Sequence, residues 1–330
     1  MSGEAGAARQ DGAPTFGEAL ATWARVGLLS FGGPTAQIAL MHRVIVEEKR
    51  WLGERQFLNA LGFCMLLPGP EAMQLATYVG WRLHGTRGGL AAGLLFVLPG
   101  AAVVLALAVT YAMFGTVPLV EAVFFGIKAA VLVIVVEALL RIARRALKRP
   151  EHWLIAAASF VAIFFFAAPF PLIVALAAGI GLLRPQVAET AEVPSARLAD
   201  MAPLSGTLAT ILAWTTIWAA PLLALAAIFG RDHILAKLGW FFSKLAVVTF
   251  GGAYATLAYM GQDVVARHGW LEAGQMMDGL GLAETTPGPL ILVTEFVGFL
   301  AAWRHGGDSP LVMGLLGAFV ALWATFAPCF

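Results

Sequence analysis

Phe31-Gly32-Gly33-Pro34 opens, and Pro68-Gly69-Pro70 closes, a stretch that the chain contains twice. A constant offset of 219 residues carries these motifs, without a gap, onto Phe250-Gly251-Gly252-Ala253 and Pro287-Gly288-Pro289. Between them Trp51, Leu52, Gln56, Leu61 and Gly62 fall on Trp270, Leu271, Gln275, Leu280 and Gly281. So many Gly, Pro and Trp identities in one register mark two copies of one unit. Each copy holds apolar arms broken by Gly or Pro. In a membrane protein, such breaks at corresponding places in two halves point to a transport site.

Composition tells which solvent the arms meet. The chain is 60% hydrophobic and 12% charged, with a mean hydropathy of +0.82, whereas a soluble domain carries about a quarter of charged residues. It is therefore read as an all-α polytopic membrane protein whose first partner is the lipid bilayer. At ~20 apolar residues per crossing, the length allows about eight to ten membrane segments and no soluble catalytic domain. A net charge of +1, with the basic residues in short loops, gives no support to a nucleic-acid partner. Residues 1–15 lack the basic and apolar regions of a signal peptide and read as a disordered cytoplasmic tail. Cys64 and Cys329 both sit in apolar runs and read as small buried residues rather than a disulfide framework. The six histidines fall at segment ends, and none forms an HExxH or Cys/His cluster, so neither a metal nor another cofactor is expected. No phosphate-binding loop of the nucleotide-driven pumps occurs either.

Taken in order, the first repeat covers 16–183 and the second 205–330, with 184–204 as a Pro-containing cytoplasmic linker. The first holds broken or re-entrant hairpins at 16–46 and 57–83, followed by spans at 88–114, 117–140, 152–168 and 170–183. In the second, a span at 205–229 precedes hairpins at 237–267 and 274–303, and the last run, 308–330, ends inside apolar residues as though cut short. Arms such as 16–31 and 34–46 are too short to cross ~30 Å of hydrocarbon at ~1.5 Å per residue, which is why they are read as re-entrant. Five crossings separate the two copies, an odd number, so the second should be inverted relative to the first. Charge gives the same answer. The first connector carries Arg43, Lys49, Arg50 and Arg55, and the second only Arg267. Basic residues favour the cytoplasm, as does the run Arg141–Arg149, so the N-terminus is expected inside.

Irregular backbone at membrane depth survives only where protein or a water-lined cavity satisfies it. The four breaks, at Phe31, Gly32 and Gly33, at Pro68, Gly69 and Pro70, at Phe250, Gly251 and Gly252, and at Pro287, Gly288 and Pro289, should therefore meet inside the protein. Each precedes a helix whose first N–H groups and positive dipole end are free to hold an anion. The competing reading is that the glycines only permit close packing. Arg25 and Lys244 each lie six residues before a Phe-Gly-Gly, so a cation recurs in both arms. They can serve an oxyanion or pair with Glu71, Glu284 or Glu295. Glu71 fits a helix-capping role. Glu284 has no acidic counterpart in the first copy and is the candidate for proton coupling. Thr285 and Thr286 can donate to an oxyanion or bond back to their own helix. No nucleophile and base suited to catalysis stand at membrane depth, so no enzyme is expected.

The pairing of SFGGP…RW…LPGP with TFGGA…GW…ETTPGP resembles the chromate ion transporter family, over about 16–114 and 237–330. The resemblance implies a multi-pass inner-membrane carrier with oppositely oriented halves that exports chromate, with sulfate as the isosteric alternative. A passive anion channel is the reading from another class. The family pattern falls on Phe31, Gly32, Gly33, Pro34, Trp51, Pro68, Gly69 and Pro70, and on Phe250, Gly251, Gly252, Trp270, Pro287, Gly288 and Pro289. Ala253 departs from it where the first copy has Pro34. The expected partners are chromate or sulfate, lipid and, for assembly, a second copy of the chain.

Overall fold

The structure, a computed structural model, describes residues 14–115, 117–166, 168, 172–173, 176–177, 179–180, 204–248 and 253–330. The N-terminal tail up to 13, the linker at 184–203, most of the 170–183 segment and the Phe250-Gly251-Gly252 break lie outside the described residues. Among those described, every regular element is helical.

Helix α1 spans Phe16–Leu29 and opens under Thr15, whose hydroxyl accepts from the Glu18 N–H at 3.3 Å. Its buried residues, Ala19, Thr22, Trp23 and Val26, recur at helical spacing and form one stripe. The helix stops at Ser30, and α2 (Gly33–His42) starts after Gly32, with Pro34 in the first turn. A π-helical turn, Arg43–Glu48, leads to the connector, and α3 covers Glu54–Cys64. Helix α4, Glu71–Phe114, folds back on itself at His84 and Gly85, which have non-helical backbone angles. Gly80 and Gly88 then meet backbone to backbone, leaving no room for a Cβ on either. The expected arm at 70–83 and span at 88–114 are thus two limbs of one turned helix.

Helices α5 (Pro118–Ala146) and α6 (Pro150–Phe166) follow, and after the linker come α7 (Leu204–Phe229), α8 (Ile234–Val248) and α9 (Ala253–Gln262). The last three are α10 (Ala273–Thr285), α11 (Val293–Arg304) and α12 (Pro310–Phe326). Helices α4, α7 and α12 each carry a stretch long and apolar enough to cross a membrane. The chain is a helical membrane protein.

The connectors of the two copies are alike atom by atom. In the first, the Lys49 N–H donates to Val44 O at 2.9 Å and the Trp51 N–H to Ile45 O at 2.8 Å. At the same offset, the His268 N–H donates to Asp263 O at 2.9 Å and the Trp270 N–H to Val264 O at 3.0 Å. The Gln56 and Gln275 side chains close matching helix starts, accepting from the Gly53 N–H at 3.2 Å and the Glu272 N–H at 3.1 Å. The side-chain bonds give the recurrent Gln a physical reason: they fix where α3 and α10 begin.

The helices fall into two compact units. The first holds the residues up to Val131 and from Trp214 onward. In it α1 lies on α4, with Gly27 against the Leu95 carbonyl. Helices α11 and α12 approach through Gly298 and Gly317, where a Cβ on Gly298 would stand 2.6 Å from Gly317 O. The second unit, Leu132–Ala213, contains the rest of α5, all of α6, which buries no residue, and the start of α7.

Candidate functional site

All three described breaks hold glycine in the left-handed region: Gly32 at φ +84° and Gly33 at +76°, Gly69 at +117°, and Gly288 at +95°. Side chains with a Cβ avoid these angles, so glycine is what lets the chain stop one helix and start another. The break after α1 meets the break after α10. The Gly288 N–H donates to Ser30 O at 2.8 Å, across the two copies. Gln37, in α2, donates from Nε2 to Gly288 O at 2.6 Å and makes a longer contact with Ser30 O at 3.4 Å. Ser30 itself is fixed by its hydroxyl, which donates to Val26 O at 2.6 Å. Pro287 O packs on Gly100 of α4, where no Cβ would fit.

The break between α3 and α4 has a similar internal bond. Gln74 Nε2 donates to Pro68 O at 2.7 Å, and a Cβ on Gly69 would lie 2.9 Å from Cys329 Sγ. After each of these two breaks, a glutamine in the early turns of the next helix thus holds a carbonyl of a break. Gln37 and Gln74 are buried, and each leaves its Oε1 without a hydrogen-bond partner among the described residues.

The charged candidates stand elsewhere. Arg25 projects off the buried stripe of α1 and pairs with Glu48, Nη1 to Oε2 at 3.9 Å, rather than with an acid beside a break. Lys244 is exposed on α8, off the stripe formed by Leu238, Phe241, Phe242 and Leu245, with Nζ 5.6 Å from the Tyr259 ring centroid. Glu71 lies in the first turn of α4 and Glu295 in the first turn of α11. Glu295 is 1% exposed, and its Oε2 has no hydrogen-bond partner among the described residues. Glu284 is half-buried near the end of α10. The Thr285 hydroxyl bonds back to Gly281 O at 2.9 Å, whereas Thr286 is buried with its hydroxyl without a partner among the described residues.

Sequence reasoning missed four polar residues. Ser30, Gln37 and Gln74 sit beside the breaks. Asp278 of α10, 2% exposed, accepts from the Tyr111 hydroxyl of α4 at 2.8 Å. An acid inside an apolar arm is a signal that could have drawn attention to Asp278. The two glutamines carry no such mark. No group of His, Cys, Asp and Glu that could hold a metal occurs among the described residues.

A family model described as Chromate transporter matches residues 17–182 and 236–330. The chain is 33% identical to a chromate transport protein of Pseudomonas aeruginosa over 308 residues, covering 92% of this chain and 71% of the relative. It is 31% identical to a probable chromate transport protein of Synechococcus elongatus, over 93% of this chain and 72% of the relative. With a chromate transport protein of Cupriavidus metallidurans it shares 30% identity, over 93% of this chain and 70% of the relative. No solved structure matches.

Proposed function

Because the chain belongs to the chromate transporter family, we propose that it is a secondary carrier that moves chromate out of the cytoplasm across the inner membrane. The observation that carries the reading is the hydrogen bond between Gly288 and Ser30, which joins a break of one copy to a break of the other. Helix starts with unspent N–H groups, brought together from two halves, supply what a tetrahedral oxyanion needs: short donors of positive polarity that carry no fixed charge. Binding then costs little to reverse, as a carrier requires. The exposed Arg25 and Lys244 act at the approaches, drawing the anion in, and Glu71 caps its helix.

The test is uptake of radiolabelled chromate by everted vesicles containing the protein. Saturable accumulation above empty vesicles is expected, and none, with a working control carrier present, ends the reading. Sulfate has the same charge and shape and should compete. Uptake that does not saturate would instead indicate a channel.

The alternating mechanism needs the copies to be inverted, with the N-terminus inside. The basic first connector then faces the cytoplasm and the second faces out. Cysteine at Glu54 should react with an impermeant thiol reagent only from the cytoplasmic side, and cysteine at Glu272 only from the outer side. Labelling of both from one side would remove the inversion.

A further inference from the structure

At the crossing of the two breaks, one oxygen collects donors from two segments. The Ser30 carbonyl accepts from the Gly288 N–H at 2.8 Å and faces Gln37 Nε2 at 3.4 Å. The same amide nitrogen is 2.6 Å from Gly288 O, which fixes the amide orientation. Ser30 is fully buried, and Gln37 is 1% exposed. Thr286, two residues before Gly288, is buried with its hydroxyl without a hydrogen-bond partner among the described residues. The carbonyls of Ser30 and Gly288 thus close the crossing over its donors.

We propose that the Ser30 carbonyl holds the place of one oxygen of the transported oxyanion, and that Gln37 is a substrate-binding residue. This rests on the oxyanion-carrier reading above and names a residue and a device within it. When the anion enters, the Gly288 N–H and the Gln37 amide pass from the Ser30 carbonyl to an anion oxygen. The Thr286 hydroxyl, unbonded in the closed form, supplies a third donor. A charged acceptor binds each donor roughly twice as strongly as a neutral carbonyl, which offsets part of the cost of taking the anion out of water. When the anion leaves, the carbonyl returns and the donors are not left bare. None of the three donors carries a charge or reads anything but oxygen, so the crossing takes tetrahedral oxyanions as a class. Chromate and sulfate compete for it.

The proposal gives opposite signs for two substitutions, which a purely structural role would not. Gln37→Met keeps the volume and removes the donor. It should raise the KM for chromate by about tenfold, the loss of one charge-assisted hydrogen bond, with Vmax within about twofold. Ser30→Gly loosens the competing carbonyl and should lower KM by about two- to fivefold. Transport kinetics in vesicles, with the amount of folded protein fixed by gel filtration after extraction, reads both. If both variants raise KM, or both leave it at the wild-type value, the placeholder is refuted. Should Gln37→Met fail to fold, Thr286→Val decides: a KM about threefold higher supports the proposal, and an unchanged KM overturns it. Wild-type vesicles that take up no chromate would remove the carrier reading itself. Wild-type transport with an unchanged Gln37→Met KM removes this inference alone.

Discussion

In Gly288→Ala, chromate uptake falls to the level of empty vesicles while the protein still inserts and accumulates. Gly288 sits at φ +95°, and a Cβ added there would stand 2.8 Å from Leu292 Cδ1 and 3.3 Å from Gly100 Cα. The leucine tip can move, but the Gly100 backbone belongs to α4 and cannot yield without disturbing the seat of Pro287. The left-handed backbone adds about 1–2 kcal/mol for a residue with a Cβ. The segment must therefore shift, and its N–H leaves Ser30 while its carbonyl leaves Gln37. Loss on this scale is tolerable for a helical membrane protein as a whole but not for the hydrogen-bonded crossing of these two breaks. Gly62→Ala is the control. Gly62 lies in α3 with nothing within 4 Å of an added Cβ, so uptake should stay at the wild-type level. Normal uptake by Gly288→Ala would place the break outside the transport path.

Glu295→Gln should abolish the acceleration of chromate transport by an imposed pH gradient while leaving chromate exchange at equal concentrations within about twofold of wild type. Glu295 lies in the first turn of α11, which follows the break that contains Gly288, and it is buried with Oε2 without a hydrogen-bond partner among the described residues. By helix spacing it shares a face with Gly298 and Ala302, which pack on Gly317 of α12, and α12 carries no charged residue. Acids inside membrane segments mark proton relays. Glutamine keeps the shape and removes the exchangeable proton, so packing and anion binding survive while coupling does not. Sequence reasoning favours Glu284 for this role because that acid is absent from the first copy; the burial of Glu295 is the reason to move the assignment. Gradient-driven accumulation that survives in Glu295→Gln but fails in Glu284→Gln would return the role to Glu284.

The helical membrane class was legible because it rests on composition and on Gly and Pro in apolar arms, which act locally. Helix α1 ends at Ser30, just before the left-handed Gly32, and α10 ends before Pro287, where a positive φ or a proline favours a stop. The repeat was legible for a local reason too: Gln56 and Gln275 each close the start of their own helix, a bond that both copies make. What the sequence could not display was which break meets which. That Gly288 binds Ser30 is a contact between residues far apart in the chain, set by the packing of both segments on α4, through Gly27 against Leu95 O and Pro287 O against Gly100. Nor does a lone Gln37 differ on paper from any surface glutamine. The placement of Arg25 could have been read more closely. Ala19, Thr22, Trp23 and Val26 already define the buried stripe of α1, and position 25 falls off it. The recurrence of a cation in both arms outweighed that periodicity.

The most direct test is an anomalous difference map at the chromium absorption edge, from crystals grown with chromate. The account predicts one peak at the crossing of the breaks, within hydrogen-bonding reach of the Gly288 N–H and the Gln37 amide through the chromate oxygens, with the Ser30 carbonyl displaced. A peak beside the Arg25–Glu48 pair or the Lys244–Tyr259 contact, with the crossing still closed by Ser30, would contradict it.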